Sequence, residues 1–166
     1  MHEEMEQGFL EMVRRHEHLI AKLARVYAVS PEDRKDLIQE IFYQLWRSYG
    51  SFKGESSWTT WIYRVALNTA ITSFRRVKKI PEHAQLEEEI PVDSRSHESL
   101  EQHERTQLLY RAIRSLNNVD RALITLYLED LNYREIAEIL GISEDNAGVR
   151  LNRIKAKLWT FLGVVE

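Results

Sequence analysis

The sequence predicts an all-α protein made of two small helical domains joined by a flexible acidic linker. Apolar residues recur at spacings of three and four along most of the chain, as at Leu37, Ile41 and Leu45, and this is the period of an amphipathic helix. Residues 81–104 break the pattern, with two of the three prolines and few large apolar side chains. A turn at Gly141 then separates two further helical patterns.

Charge and composition predict where the domains begin and end. Residues 1–80 carry 13 Lys and Arg against 10 Asp and Glu, and residues 105–166 carry 9 against 8. Residues 81–104 carry 1 against 8 and account for the negative net charge of the chain. Such a segment cannot bury enough apolar surface to offset the entropy of ordering it, which predicts a tether. The alternative is a long loop inside a single domain, but structureless loops of that length are uncommon in compact domains.

Composition also limits the classes of function. The chain has no cysteine, which excludes disulfides, thiolate metal sites and cysteine nucleophiles. Its first residues are polar and acidic, and no stretch approaches the roughly 18 apolar residues that a membrane span needs. The six histidines lack metal-ligand spacing, and no glycine-rich phosphate loop is present. The sequence therefore predicts a cytoplasmic protein without membrane insertion that is not an enzyme and needs no cofactor or metal.

Three helices are predicted in the first domain. The first spans roughly residues 6–28 and supplies apolar side chains to the core, namely Phe9, Val13, Ile20 and Leu23. The second begins at Ser30 and Pro31, a cap followed by proline at the first helical position, and ends near Gly50. Residues 51–57 read as a loop, and a third helix begins around Ser57. Its inward stripe is Ile62, Val65, Ala66 and Thr69.

The third helix has an unusual chemical pattern. Residues 56–80 include no Asp or Glu but several Arg and Lys, with Trp58 and Trp61 among serines and threonines at the start. Cations that pair with phosphates, beside rings that stack on bases, are typical of single-stranded DNA binding. The alternative is that both tryptophans belong to the core and that the basic residues are a solvated helix end favoured by the helix dipole.

The sequence of the second domain predicts a helix-turn-helix. Asn118 or Asp120 can begin a helix, and Asn132 with Glu135 matches a capping box that opens a short one. Glycine at position 141 ends that short helix, and the last helix runs from residue 144 to about residue 161.

On a helical wheel the last helix has one apolar and one polar face. Ala147, Leu151, Ile154 and Leu158 point inward. The opposite arc carries Asp145, Asn146, Val149, Arg150 and Arg153, flanked by Asn152 and Lys157. Asn and Arg have the paired hydrogen-bonding groups that match adenine and guanine edges in the major groove. This face predicts DNA contact, although helix-turn-helix units also occur in proteins that never touch DNA.

These segments resemble a known family. Two stretches are similar to region 2 of the extracytoplasmic-function (ECF) sigma factors, DLIQEIFYQLWR and SFKGESSWTTWIYRVALNTAITSFRR. A third resembles their region 4, LYLEDLNYREIAEILGISEDNAGVRLNRIKAKL. The resemblance implies a factor that directs bacterial core RNA polymerase to promoter DNA and initiates transcription, with residues 1–80 as region 2 and residues 105–166 as region 4. A stand-alone helix-turn-helix regulator is the alternative, but it leaves the tryptophan-rich loop and basic helix without a role.

The resemblance also assigns residues to three surfaces. Contacts to the clamp helices of the largest polymerase subunit would come from Asp36, Gln39, Glu40, Tyr43 and Trp46. Residues that capture and hold the −10 strand would be Lys53, Ser56, Ser57, Trp58, Thr60, Trp61, Arg64, Asn68, Arg75 and Arg76. The −35 duplex would be read by Arg134, Glu144, Asp145, Asn146, Val149, Arg150, Arg153 and Lys157. The flap of the second-largest subunit and an anti-sigma factor are further partners that the resemblance implies.

The chain departs from the family pattern at two places. Thr72 stands where many members have aspartate, and residues 146–149 replace a common Thr-Val-Lys-Ser run. The second change alters the surface expected to read bases, so the −35 sequence cannot be transferred from other members. It also introduces Gly148, which costs about 1 kcal/mol in a helix interior relative to alanine. That glycine either eases a close approach to the DNA backbone or reflects drift.

Overall fold

The computed structural model describes the backbone of residues 1–77 and 99–163, and the side chains of residues 1–73 and 99–163. Within these ranges the chain forms seven α-helices and no strand, which confirms the all-α prediction. The helices are α1 (His2–Tyr27), α2 (Pro31–Tyr49), α3 (Trp58–Val77), α4 (Leu100–Arg114), α5 (Asn118–Leu128), α6 (Tyr133–Leu140) and α7 (Glu144–Phe161). Of the helices described, none has the length and apolar character needed to cross a membrane.

The chain divides into two compact units, Met1–Ala84 and Gln85–Glu166. In the first unit, α1, α2 and α3 each pack against the other two. Its centre consists of fully buried aliphatic side chains, namely Ile20, Leu23, Ile41, Leu45 and Ile62. The predicted inward residues Val13, Val65 and Thr69 are only half-buried, so they lie at the edge of this core.

Side-chain caps determine the helix starts in the first unit. Ser30 accepts a hydrogen bond from the backbone N–H of Asp33 at 3.1 Å, and Pro31 follows it. Because proline has no N–H to leave unsatisfied in the first turn, this arrangement stabilises the start of α2 as the sequence predicted. Helix α1 begins at His2, several residues before its predicted start.

The second unit contains α4, which the sequence analysis missed. Ser99 and Gln102 form a reciprocal capping box, with Ser99 Oγ accepting from the Gln102 N–H at 3.3 Å. Glu101 and Arg105 then form an ion pair at 2.6 Å, one turn apart. Residues 100–104 are therefore helical, and the prediction that the linker extends to residue 104 is wrong. Acidic composition suggested disorder there, but local caps and pairs favour a helix. The rest of the predicted linker, residues 81–98, lies outside the described residues.

The other helix boundaries of the second unit follow local chemistry. Helix α5 begins at Asn118, one of the two starts that the sequence predicted, and it is capped by Asn117, whose side chain accepts from the Asp120 N–H at 2.9 Å. The capping box of Asn132 and Glu135 is confirmed. Gly141 takes the left-handed conformation at φ 68°, which glycine adopts at no steric cost, and ends α6.

The predicted apolar face of α7 is confirmed. Ala147, Leu151, Ile154 and Leu158 are all buried. Helix α7 packs against α5 and α6, whose buried residues include Leu123, Leu126 and Ile136. The opposite face of α7 is consequently left for solvent or a partner.

Candidate nucleic-acid interface

Five residues of α2 share one exposed face. Their spacing of three and four places them opposite the buried Leu37, Ile41 and Leu45. All five are exposed, and they are the residues predicted to contact polymerase: Asp36, Gln39, Glu40, Tyr43 and Trp46. Tyr43 is 56% and Trp46 is 39% exposed, which is high for aromatic side chains. The structure brings the predicted set together; its contact with polymerase stays a prediction.

A groove of about 440 Å³ runs between this part of α2 and helix α3. Its lining is Asp36, Leu37, Glu40, Gln44, Asn68, Thr69, Thr72 and Ser73. The Thr69 and Thr72 hydroxyls donate to the carbonyls of Val65 and Asn68, each at 2.7 Å, so their oxygens remain as acceptors. Asn68, predicted to hold the DNA strand, therefore shares a groove with two residues predicted to bind polymerase.

Six aromatic rings form a continuous array in the first unit: Phe9, Trp46, Tyr49, Phe52, Trp58 and Trp61. Tyr49 stacks on Trp58 with centroids 5.4 Å apart. Phe52, from the loop, lies 3.9 Å from Trp58 and 5.4 Å from Trp61. We call these six rings the aromatic array. Sequence reasoning missed Tyr49 and Phe52, although an aromatic residue inside a glycine-rich loop was a signal for the latter.

The two tryptophans differ in exposure. Trp58 is 39% exposed at the beginning of α3, whereas Trp61 is half-buried and meets the edge of Trp58 at 5.5 Å. Trp58 therefore combines the two readings that the sequence left open, since its ring packs in the array while the residue stays 39% exposed. A ring held in this way can stack on an incoming base without first being ordered.

The polar residues around the loop do not all face outward. Lys53 and Ser57 are exposed and Ser56 is half-buried. Thr60, predicted to contact DNA, is only 7% exposed. Its Oγ1 accepts from the Ser57 hydroxyl at 3.0 Å, and its N–H donates to Ser57 Oγ at 3.1 Å. The Thr60 side chain is therefore nearly buried beside Ser57, whose hydroxyl caps α3, and its contact with DNA stays a prediction.

The basic face of α3 is described in part. Arg64 and Asn68 are exposed and lie four residues apart, on the same side of the helix. The backbone of Arg75 and Arg76 belongs to α3, but their side chains lie outside the described residues. Of the four α3 residues predicted to hold the strand around the captured base, the structure therefore describes the exposure of Arg64 and Asn68.

In the second unit, the outer face of α7 carries most of the predicted −35 residues. Those exposed on α7 are Glu144, Asp145, Asn146, Val149, Arg153 and Lys157, with Asn152 beside them. Arg134 is exposed in the first turn of α6. Val149 is 51% exposed, an apolar side chain among polar ones. On α7 these exposed residues extend from its first turn to Lys157 in its C-terminal half.

Arg150 is the exception on this face. Its Nε and Nη2 donate to Oδ1 of Asp120 at 3.1 and 2.9 Å, and the Asp120 side chain is only 10% exposed. The other carboxylate oxygen of Asp120 accepts from the Asn117 amide at 3.0 Å. The predicted placement of Arg150 on the outer arc is therefore wrong. A helical wheel gives the direction in which a side chain leaves the helix, whereas arginine is long enough to turn back and reach α5.

The packing of a neighbouring aromatic ring explains the glycine at position 148. A Cβ built there would lie 3.3 Å from Cε2 of Tyr133, which begins α6. The glycine therefore leaves room for the tyrosine ring between α6 and α7, a cause that neither sequence alternative named.

Lys155 also joins two helices of the second unit. Its Nζ donates to the Tyr127 hydroxyl at 3.0 Å and lies 4.2 Å from the centroid of the same ring. This hydrogen bond raises the pKa of Lys155 above its usual value. Lys155 thus contributes to the contact between α5 and α7.

Two family models match the two units. Sigma-70 region 2 matches residues 12–80, and Sigma-70 region 4 matches residues 106–158. The ECF RNA polymerase sigma-E factor of Escherichia coli K12 is 32% identical over 164 residues, covering 90% of this chain and 84% of that protein. The chain belongs to the ECF RNA polymerase sigma factors. It directs RNA polymerase to promoters, and the alternative of a stand-alone regulator is wrong because region 2 accounts for the first unit.

A second curated sigma factor and two solved structures are also similar to this sigma factor. The ECF sigma factor SigM of Mycobacterium tuberculosis H37Rv is 29% identical over 160 residues, covering 96% of this chain and 79% of SigM. The structure of CnrH in complex with the cytosolic domain of CnrY aligns with a TM-score of 0.70 and 23% identity, covering 97% of this chain and 91% of CnrH. RpoE of Bartonella quintana, solved with the anti-sigma factor NepR, aligns with a TM-score of 0.73 and 19% identity, over 98% and 99% of the two chains. At these identities the solved structures support the fold of the sigma factor.

Proposed function

We propose that region 2 of this sigma factor captures the non-template −10 strand at Trp58 and that α7 of region 4 reads the −35 duplex. The observation that carries the first half is the aromatic array, which holds Trp58 partly exposed. The exposed Lys53 follows Phe52 of the array in the loop. Extruding a base costs a few kcal/mol, and stacking on an aromatic side chain returns about 1–3 kcal/mol per base. A pre-ordered ring supplies that stacking without a further ordering cost.

The proposed −10 surface consists of exposed and half-exposed residues around the array. Its members are Lys53, Ser56, Ser57, Trp58, Trp61, Arg64 and Asn68, with Arg75 and Arg76 added on the resemblance alone. Lys53 and Arg64 would pair with backbone phosphates, because ammonium and guanidinium groups supply the electrostatic part of strand binding. Thr60 takes a supporting role in this proposal, since it holds Ser57 at the helix start.

The proposed −35 surface is the outer face of α7, from its first turn to Lys157, with Arg134 of α6. Recognition helices of helix-turn-helix domains present their first residues to base edges in the major groove. Here those residues are Glu144, Asp145, Asn146 and Val149, followed by Arg153 and Lys157. Arg153 is the exposed arginine of this helix and the strongest candidate for a guanine or a phosphate. Arg150 is assigned instead to holding α7 on α5.

For polymerase, we propose that the exposed face of α2 docks on the clamp helices of the largest subunit. Exposed Tyr43 and Trp46 support this, since interface hot spots are enriched in large aromatic residues. Asp36, Gln39 and Glu40 would form the polar rim of the same contact. A second contact, to the flap of the second-largest subunit, rests on membership of the family.

We also propose an anti-sigma factor as a partner. The support is that the solved structures of CnrH and of RpoE from Bartonella quintana are complexes with CnrY and with NepR. A partner of this kind should lower run-off transcription when it is added to the sigma factor before core polymerase. A partner that binds the chain without reducing transcription would not be an anti-sigma factor.

Run-off transcription with bacterial core polymerase, followed by sequencing of transcript starts, tests the proposed division of labour. Trp58→Ala should keep core binding and protection of the −35 duplex but reduce promoter opening, measured by permanganate reactivity of unpaired thymines. Arg153→Ala should weaken −35 protection and leave binding of a single-stranded −10 oligonucleotide unchanged. Tight sequence-specific binding of promoter duplex by the chain without polymerase would contradict the proposal.

A further inference from the structure

Tyr49, the last residue of α2, occupies the middle of the aromatic array. Phe9 of α1 meets its ring edge-on, with centroids 5.4 Å apart and planes at 74°. Trp58 lies nearly parallel to it on another side, at 5.4 Å and 24°. Since Trp58 also packs against Phe52 at 3.9 Å, its plane is set jointly by Tyr49 and the loop. Tyr49 therefore connects α1 and α2 to the ring proposed to receive the base.

A glycine in α1 makes room for this tyrosine. A Cβ at Gly8 would lie 2.9 Å from the Tyr49 hydroxyl oxygen, closer than the 3.0 Å that real Cβ atoms respect. Gly8 lies inside a 26-residue helix and has no positive φ, so its backbone would accept alanine, which is the better helix former. A side chain at this position would instead have to share its space with the tyrosine hydroxyl, so that one of the two must shift.

We propose that Tyr49, in the space left by Gly8, is a positioning residue that sets the plane of Trp58 for the captured base. The inference rests on the proposed capture of the −10 strand by region 2. A tyrosine ring moves only about two side-chain torsions, and this ring is flanked by Phe9 and Trp58. A methyl group at position 8 must therefore displace Tyr49, and the displacement reaches Trp58 through their stacked faces. Neither Gly8 nor Tyr49 is among the residues proposed to touch DNA or polymerase.

The test measures the affinity of holoenzyme, reconstituted from this chain and core polymerase, for a fluorescent single-stranded oligonucleotide. The oligonucleotide carries the non-template −10 sequence of a promoter mapped by transcript starts. Gly8→Ala should weaken binding by about tenfold, because one base–aromatic stack is worth roughly 5- to 150-fold in affinity. Tyr49→Phe alone should bind nearly as the parent chain does, since the ring and its stacking remain.

The decisive variant combines the two changes. Tyr49→Phe removes the oxygen that the alanine methyl meets, so Gly8→Ala with Tyr49→Phe should return to within about twofold of the parent affinity. Gly50→Ala is the matched control, because a Cβ there meets nothing within 4 Å and its φ of −68° suits alanine. Affinity for core polymerase and the melting temperature are measured for every variant, and both should be kept in the rescued double variant.

The outcomes separate this inference from the function on which it rests. If Trp58→Ala weakens oligonucleotide binding but Gly8→Ala does not, strand capture stands and the positioning role of Tyr49 is overturned. If Gly8→Ala weakens binding and Tyr49→Phe does not rescue it, the effect does not pass through the hydroxyl and the inference again fails. If Trp58→Ala binds the oligonucleotide normally, strand capture by this ring and its positioning by Tyr49 are both overturned.

Discussion

Arg150 of α7 donates two hydrogen bonds to a single carboxylate oxygen of Asp120, thirty residues earlier in the first turn of α5. Asn117, the cap of α5, binds the other oxygen of the same carboxylate. The start of α5 and the middle of the proposed recognition helix are thereby joined by one partly buried ion pair. Arg150 and Arg153 lie on the same arc of a helical wheel. Because only Arg150 is described in this ion pair, we expect substitutions of the two arginines to have different effects.

Asp120→Ala and Arg150→Ala should each lower the free energy of unfolding of region 4. We expect about 1–3 kcal/mol, the cost of leaving a charged hydrogen-bonding group without its partner, with Arg150→Ala at the lower end because its side chain is 29% exposed. Hydrogen exchange of the α5 and α7 amides in the full chain measures the change locally. The double variant should lose less than the sum of the single losses. Fully additive losses would show that the pair contributes no coupling.

Arg153→Ala should leave the fold intact and weaken transcription from promoters that need a −35 element. If Arg153 reads a guanine, its loss should cost about 1–3 kcal/mol in promoter binding and relax the preference at that base pair; a phosphate contact should instead lower the salt slope by about one. Holoenzyme binding to duplex promoter across a salt series distinguishes the two. Unchanged transcription from −35-dependent promoters at physiological salt would show that Arg153 is not a reader.

Gly148→Ala should gain less stability than alanine ordinarily brings to a helix. Its methyl group would press on the Tyr133 ring at 3.3 Å, which offsets the gain of about 1 kcal/mol expected from helix propensity. In a Tyr133→Ala background the full gain should appear, because the ring is no longer there. Denaturant unfolding of the four chains gives this comparison. An equal effect of Gly148→Ala in both backgrounds would mean that the ring contact is without consequence.

The start of α4 bears on how the two domains can be separated. A fragment of residues 99–166 keeps the Ser99 capping box, whereas a fragment of residues 105–166 loses the cap and the first turn of α4. The longer fragment should be more stable by about 1 kcal/mol or more, since a serine cap alone is worth that amount. Thermal unfolding followed by circular dichroism compares them, with Ser99→Ala in the longer fragment as the control for the cap. Equal stability would indicate that the first turn of α4 adds nothing to region 4.

Local sequence determined most helix boundaries of this protein. The helix caps at Ser30 and Asn132 and the left-handed turn at Gly141 each act over at most four or five residues. Both partners of each hydrogen bond therefore lie within one short stretch of sequence. The apolar face of α7 was predictable for a similar reason, since a helix repeats every 3.6 residues. Even α4 carried a readable signal, because Ser99 and Gln102 have capping-box spacing. The acidic composition of the surrounding segment outweighed that signal in the prediction.

Tertiary structure alone decided which side chains meet across the fold. The aromatic array joins residues from α1, α2, the loop and α3, and Arg150 finds its partner on another helix. Periodicity states which face of a helix is apolar, but it does not state which neighbouring helix covers that face or how far a long side chain reaches. Thr60 illustrates the same point, because its side chain is nearly buried and accepts a hydrogen bond from Ser57, which its place in the family motif did not indicate. Contacts between helices depend on how whole helices pack, and packing is a property of the folded chain rather than of any short segment.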